Sequence, residues 1–282
     1  MNDELRKKKA LTLISKTGFG LEIGPSYNPL APRSSGWNVD VVDHANAESL
    51  KVKYAAWGVD VSAIEKVQYV IEEDSDLFNT IGQQEKYDFI IASHVIEHVP
   101  DPLTFLQNCQ LLLKDGGILS LIVPDKRYCF DIFRPVSTVG QLLDAFSEKR
   151  KRHSPGTIFD AHAYHARRGD QIAFPNIGHV NDLNFAHTAA YAKSVMDDFL
   201  HSQKYLDVHA WVYTPSSFQL ILSELLSLSL LDFKLEFFDM SYPYEFYLSL
   251  RKTAFQNTNN DAVRLALSAQ IFQEEVQAKF GK

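Results

Sequence analysis

The densest run of groups able to do chemistry is Tyr87-Asp88-Phe89-Ile90-Ile91-Ala92-Ser93-His94-Val95-Ile96-Glu97-His98-Val99-Pro100-Asp101-Pro102. Within it His94-x-x-Glu97-His98 has the i, i+3, i+4 spacing that puts three side chains on one face if the segment is helical, so the three could hold a divalent ion. In zinc hydrolases the same letters need a long helix and a further ligand. Here the motif directly follows Phe89 to Ala92, an apolar and partly β-branched run. The favoured reading therefore treats Glu97 and His98 as hydrogen-bonded structural residues and assigns no metal. Ser93 and His94 fall at the carboxyl end of a buried parallel strand, the place where open α/β sheets bind ligands.

A second constellation is Gly24-Pro25-Ser26 followed, about twenty residues on, by Asp43. At that separation a carboxylate on a second strand reaches both hydroxyls of a ribose held over the first turn. The plainer alternative is a tight turn and a solvated strand end. Gly24 is the sole glycine of this turn, and Pro29, Pro32, Ser34, Ser35 and Gly36 leave little room for a crossover helix. A pyrophosphate would need that helix's amino terminus and several glycines, so the ligand should lack phosphates. Glu72-Glu73-Asp74 ends a third strand, Val67 to Ile71; an acid there could accept a bond from an adenine amino group, or be a solvated turn.

These residues need a scaffold, and the surrounding sequence supplies its signals. Residues before Thr17 read as an amphipathic lead-in helix, Phe19 to Ile23 and Val39 to Val42 as strands, and Ala45 to Trp57 as a crossover helix. Asp101-Pro102 starts a further helix, Asp as N-cap and Pro in the first turn, with an apolar stripe of Leu103, Leu106, Leu111 and Leu113. Lys114-Asp115-Gly116-Gly117 is expected to end it, before the strand Ile118 to Val123. Thr214-Pro215-Ser216 begins a helix running through Leu228. Strands Phe233 to Phe238 and Glu245 to Leu250 follow, joined by a short turn, Asp239 to Pro243. Asn259 or Asn260 caps a terminal helix with the stripe Leu265, Ala269, Phe272, Val276 and Phe280.

The composition, 45% hydrophobic and 22% charged over 282 residues, is that of a globular chain. A formal net charge of -7 argues against broad nucleic-acid binding. Lys7-Lys8-Lys9 and Lys149-Arg150-Lys151-Arg152 read as solvated faces. Cys109 and Cys129 make no disulfide framework, which suits a reducing cytoplasm. The run Ala10 to Ile14 is too short for a signal-peptide core, and Phe218 to Phe233 is too interrupted to span a bilayer.

Leu21-Glu22-Ile23-Gly24-Pro25-Ser26, Asp43, the third-strand acids, Tyr87 to His98 and Leu113-Lys114-Asp115-Gly116-Gly117 together resemble a class I S-adenosylmethionine-dependent methyltransferase. The likeness covers residues 18 to 127, and departs from the family in the first motif, where Gly24, Ser26 and Asn28 stand in place of three alternate glycines. It implies an α/β, Rossmann-like sheet of seven mostly parallel strands with the last strand reversed and a cap inserted. It implies one domain over 1–282, with core 17–127 and 211–252, a cap at about 128–210 and a C-terminal helix at about 259–280. It also implies S-adenosyl-L-methionine as cofactor. Glu22 would orient the glycine turn, Gly24 with Pro25 and Ser26 would take the amino acid part, Asp43 the ribose, Glu73 or Asp74 the adenine, and Ser93 and His94 would lie nearest the sulfonium. Thr214 to Phe218 and Tyr244-Glu245-Phe246-Tyr247 are similar to a bacterial subgroup associated with glycan and cell-surface polysaccharide synthesis.

The stretch from Asp125 to about Val208 reads as a long insertion carrying Asp131, Arg134, His162, His165, Arg167, Arg168, His179 and His187, with His209 and Trp211 just beyond. Such insertions are usually lids or substrate walls. Aromatic and polar groups together suit a sugar, whose ring face stacks while its hydroxyls bond. An alcohol acceptor needs its proton removed, and Asp125, His162 or His94 is the expected base. The expected reaction is O-methylation of a sugar or glycan-linked acceptor. The competing readings are a nicotinamide-dependent oxidoreductase and a cofactor-binding scaffold that has lost catalysis. Against the first, no G-x-G-x-x-G occurs and none of the twelve tyrosines has a lysine four places on. The terminal helix packs back on the domain or pairs with a copy of itself in a homodimer.

Overall fold

The computed structural model describes residues 3–72, 75–174, 180–202, 204–240, 244–254 and 261–280, with side chains of the last helix described as far as Val276. Seven strands form one sheet in the order β3-β2-β1-β4-β5-β9-β8. They are β1 (Phe19–Ile23), β2 (Asn38–Asp43), β3 (Tyr69–Val70), β4 (Tyr87–Ser93), β5 (Leu113–Pro124), β8 (Phe233–Asp239) and β9 (Glu245–Lys252). β1 to β5 run parallel, and β9 is antiparallel to both β5 and β8, so the reversed strand sits inside the sheet's far edge. β6 (Ala166–Arg167) and β7 (Asn184–Phe185) form a separate antiparallel pair.

Burial on both faces explains why the central strands read as unbroken apolar runs. Along β4, Ile90 and Ala92 join a core made with α4 (Pro102–Leu112), α5 (Val139–Ser147) and α8 (Pro215–Ser227). Phe89 and Ile91 turn the other way, toward Ala10 of α1 (Asp3–Ala10), Leu30 and Ala31. Gly20 has to be glycine: a Cβ there would stand 2.0 Å from the Phe89 ring across the β1–β4 pair. The segment between β1 and β2 holds only a 3₁₀ turn at Arg33–Ser35, as the prolines require.

The helices start where the capping residues lie. Asp101 accepts the Thr104 amide at 3.0 Å, with Pro102 next, and Asn46 caps α2 (Ala47–Ala55) by accepting from Ser49. Thr214 opens α8 with a reciprocal capping box through Ser217. A short α3 (Leu77–Ile81), capped by Asp76, was not expected from the sequence.

Several sequence expectations need correction. Lys114 to Gly117 does not cap α4; the chain is already extended at Leu113, and the four residues bulge out because Tyr87 pairs with Leu113 while Phe89 pairs with Ile118. The bulge is held by the Lys114 ammonium on Asp88 at 2.8 Å. Leu111 is exposed, and Phe105, Cys109 and Leu112 complete the buried face. The third strand shrinks to Tyr69–Val70. On α9 (Asp261–Phe280) the expected stripe faces outward: Leu265 is 73% and Phe272 70% exposed, whereas Leu267 and Glu274 are buried. Ser216 of α8 donates to Glu274 at 2.9 Å, so the contact that docks this helix is partly polar. Phe280, Asn259, Asn260 and most of the turn before β9 lie outside the described side chains.

Among the described residues between β5 and α8 none joins the main sheet; the stretch carries α5, α6 (Pro155–Ala163), α7 (Ala189–His201) and the β6–β7 pair. Among the described residues, no helix is long and apolar enough to cross a membrane.

Candidate active site

A cleft of about 650 Å³ opens over the carboxyl ends of β1, β2 and β4. Its floor is the first turn. The Gly24 amide donates to the Val42 carbonyl at 2.8 Å, which pins the end of β1 to β2, and Gly24 then takes φ +61°. Ser26 follows in the same left-handed region, at φ 51°. A Cβ on Gly24 would lie 3.5 Å from Val95, so here backbone conformation selects glycine more than space does.

Asp43 stands beside this turn, 4% exposed. One oxygen accepts the Ser26 amide at 3.3 Å and the other the His44 amide at 2.8 Å, with the His44 ring at 2.6 Å. The cleft also takes in Tyr54, whose hydroxyl meets the Ser26 hydroxyl at 2.9 Å, and Glu72 and Leu77 beyond β3. A buried carboxylate beside a glycine turn, in a cleft that also takes in Ile23, Val42, Ile71 and Leu77, matches a nucleoside joined to its amino acid part without a phosphate. The residues present therefore fit S-adenosylmethionine. Glu73 and Asp74 lie outside the described residues, and Glu72 is the third-strand acid that lines the cleft.

Glu22 is buried beneath the turn and accepts the Leu30 and Ala31 amides at 2.6 and 3.1 Å. Burial holds its carboxyl up at about 7 against those two donors. Its task is to tie the loop after Gly24 to β1. Pro25, Ser93 and Glu22 are not lining residues themselves.

The opposite wall is the turn after β4. His94 leaves the strand at φ 53° with its amide still bonded to Ile122, so the residues after it form turns and not the helix on which the shared-face spacing depended. His94 Nε2 lies 2.7 Å from Glu245 and Nδ1 3.4 Å from Glu97. Burial would lower the imidazole pKa, but the two carboxylates outweigh it and raise it to about 9. Glu245, at the start of β9, is raised by burial and brought down to about 2 by His94 and Arg6. Arg6 reaches across from α1 to Glu245 at 2.8 Å and to Ser93 at 2.8 Å. α1 thus braces the end of β4 and the start of β9, where His94 is held.

The other two expected bases lie apart from the cleft. Asp125 is buried and grips the Arg127 guanidinium with both oxygens while accepting the Arg127 amide. His162 on α6 meets the Ile158 carbonyl through Nδ1, with its ring near those of His187 and Tyr191. Neither lines the cleft.

The sequence reading passed over several lining residues. Arg150 and Lys151, whose charge run predicts a solvated face, reach the cleft, as do Asn108 of α4 and Tyr205 and Asp207 at the end of the cap. Glu245 had a signal, since it sits in the segment Tyr244 to Tyr247 that carried part of the resemblance.

A family model described as "Methyltransferase domain" matches residues 4–187. Among curated proteins, the ubiquinone biosynthesis O-methyltransferase of Actinobacillus pleuropneumoniae serotype 7 is 33% identical over 113 residues, 40% of this chain and 47% of that protein. The enzyme of the same name from Haemophilus ducreyi is 43% identical over 54 residues, 19% of this chain and 23% of its own length. The chain thus spans less than half the length of these relatives. Of solved structures, a SAM-dependent methyltransferase from Aquifex aeolicus is 13% identical over 88% of this chain and 89% of its own, with TM-score 0.43. With the family match spanning more than half of its residues, the chain belongs to the methyltransferase domain family, and S-adenosylmethionine is the cofactor that this membership implies.

Proposed function

We propose that the chain moves the methyl group of S-adenosylmethionine to a hydroxyl oxygen of an acceptor bound at the His94 end of the cleft. The observation that carries this is that one cleft is lined by both the Gly24–Asp43 cradle and His94. The cofactor supplies an electrophilic methyl on a positively charged sulfur. Asp43 would hold the ribose hydroxyls, the Gly24 turn the amino acid part, and Glu72 or a neighbour the adenine edge. Transfer is an in-line displacement, so holding the acceptor on the methyl axis supplies much of the acceleration.

Of the three base candidates, His94 alone lines the cleft, and it is the one we carry forward. Glu245 holds the ring through Nε2 and Glu97 faces Nδ1; with the ring's pKa raised to about 9, the neutral form that can take the acceptor's proton at Nδ1 grows as pH rises toward 9. Asp125 and His162 would act on the fold and the cap.

The acceptor reading rests on a row of rings leading away from the cleft. His98 meets His209 edge-on at 4.7 Å, His209 leans on Phe130 at 4.6 Å, Phe130 stacks on His165 at 4.6 Å, and His187 stacks on Tyr191 at 4.5 Å. Such a row, with ring nitrogens among the faces, supports a sugar or glycan-linked acceptor. The ubiquinone-pathway relatives favour a second reading, a phenolic hydroxyl. The test is release of S-adenosylhomocysteine with panels of sugars and of catechols, for the wild type and His94→Ala. Turnover with one panel, lost in the variant, supports the reading; bound cofactor with no release on either panel removes it.

A further inference from the structure

Two stretches of the cap reach the cleft, Arg150-Lys151 and Tyr205 with Asp207, and hydrogen bonds tie the two together. α5 ends on a pair of reversed hydrogen bonds, the Lys149 amide to Phe146 and the Arg150 amide to Ala145, each at 3.0 Å. Lys149 takes φ 51° there, where glycine is the usual residue. Ala145 is fully buried in the core, so the core sets the direction in which Arg150 and Lys151 leave the helix. Arg152 then lays its guanidinium on the carbonyls of Phe199, Ser202 and Lys204 at 3.3, 2.7 and 3.1 Å. His153 Nε2 meets the Tyr205 hydroxyl at 3.1 Å. The ends of α5 and α7 are thereby joined into one strap.

The strap meets the rest of the cleft wall at two points of unequal strength. Tyr205 donates to the His98 carbonyl and Asp207 meets the His98 ring, both at 2.8 Å. The Lys151 ammonium, by contrast, stands 3.9 Å from Asp76, the N-cap of α3, which is beyond hydrogen-bonding range. Arg150 is paired with Glu148, a carboxylate 57% exposed, while its own side chain is 22% exposed. Pairs of this kind contribute little to stability, so both cations can turn to a ligand at small cost. The segment that Lys151 touches follows β3, and its Ile71, Glu72, Ser75 and Leu77 line the same cleft. With the amino acid part at β1 and the ribose at the end of β2, the base of a nucleoside falls toward β3, the next strand out.

We propose that Arg150 and Lys151 bind the nucleobase of the cofactor, which makes the cap part of the cofactor site as well as a wall for the acceptor. A purine offers a ring face on which a planar guanidinium stacks, and ring nitrogens that accept from an ammonium. The inference rests on the nucleoside reading of the cleft and adds to it two residues that come from outside the sheet's own loops. Because the strap carries both, it holds the base from the solvent side, and loosening that hold speeds the cofactor's departure more than it slows its arrival.

The test is calorimetry of the wild type, Arg150→Gln, Lys151→Met and the double variant with two probes. One is S-adenosylhomocysteine; the other is 5′-methylthioadenosine, which keeps the nucleoside and lacks the amino acid part. The expected result is an affinity about 5- to 30-fold weaker in the double variant, by the same factor for both probes, with each single variant showing part of the loss. Thermal melting of each variant should match the wild type, because the pairs removed are solvent-exposed ones. Wild-type binding of both probes with folded variants unchanged would overturn the proposal and leave the nucleoside reading standing. A loss confined to S-adenosylhomocysteine would move the two residues to the amino acid part and overturn it as well. No binding of either probe by the wild type would remove the nucleoside reading and the proposal together.

Discussion

Replacing Glu22 by Gln should change how stability depends on pH in a direction that the burial of this residue sets. The carboxyl ionises at 4.5 in its ordinary surroundings and at about 7 in the fold, because desolvation outweighs the Leu30 and Ala31 amides. A carboxyl raised in this way binds a proton more tightly folded than unfolded. Its contribution is therefore fully present below pH 4.5 and is lost as pH rises through about 7. Each pKa unit corresponds to about 1.4 kcal/mol, so the whole change is about 3 kcal/mol. His153 works against it: burial lowers its pKa from 6.5 to about 4, so its contribution rises over much of the same window. For that reason the raw curve is uninformative and the difference between variant and wild type is the quantity to read. Urea unfolding every half pH unit from 4.5 to 8 should give a wild-type stability that falls relative to Glu22→Gln by about 3 kcal/mol across the window. A difference that stays level from pH 5 to 8 would show that Glu22 remains ionised in the fold, and the argument from burial would be wrong.

Two further expectations follow from packing and from the brace on His94. Gly20→Ala should destabilise the fold by about 1–3 kcal/mol, because a Cβ 2.0 Å from the Phe89 ring must displace it from its contact with Trp37; a melting temperature unchanged from the wild type would contradict this. Arg6→Met removes the guanidinium from Glu245 and Ser93. It should lower kcat several-fold while leaving the affinity for S-adenosylhomocysteine within about twofold, since Arg6 touches the His94 wall and not the Asp43 cradle; weakened cofactor affinity with unchanged kcat would reverse that assignment.

What was legible in the sequence was local. Asp101-Pro102 announces a helix start because the cap and the first-turn proline act within one turn, and the structure puts α4 there. Gly24 and Asp43 could be paired because adjacent parallel strands bring their ends together at a fixed separation. Periodicity failed where it had to say which face is covered. Leu265 and Phe272 repeat like a core stripe, yet α9 docks through Leu267 and Glu274, because the partner surface on α8 offers Ser216 there. Lys114 to Gly117 has the composition of a helix stop, but Lys114 is drawn to Asp88 across the strand pair, a contact no local pattern encodes. The surroundings of Glu97 were hidden for the same reason: His209 comes from beyond the whole cap and arrives by backbone bonds to Glu97 itself.

The central claim is that a nucleoside with a phosphate-free sulfur link is held over the ends of β1 and β2 by the Gly24 turn and Asp43. Calorimetry with S-adenosylhomocysteine on the wild type and on Asp43→Ala tests it directly. Loss of hydrogen bonds from the ribose to a charged acceptor is worth about 1.5–3 kcal/mol, so the account predicts one site per chain in the wild type and an affinity roughly 10- to 100-fold weaker in a folded variant. No binding to the wild type, or equal binding by both proteins, would contradict it.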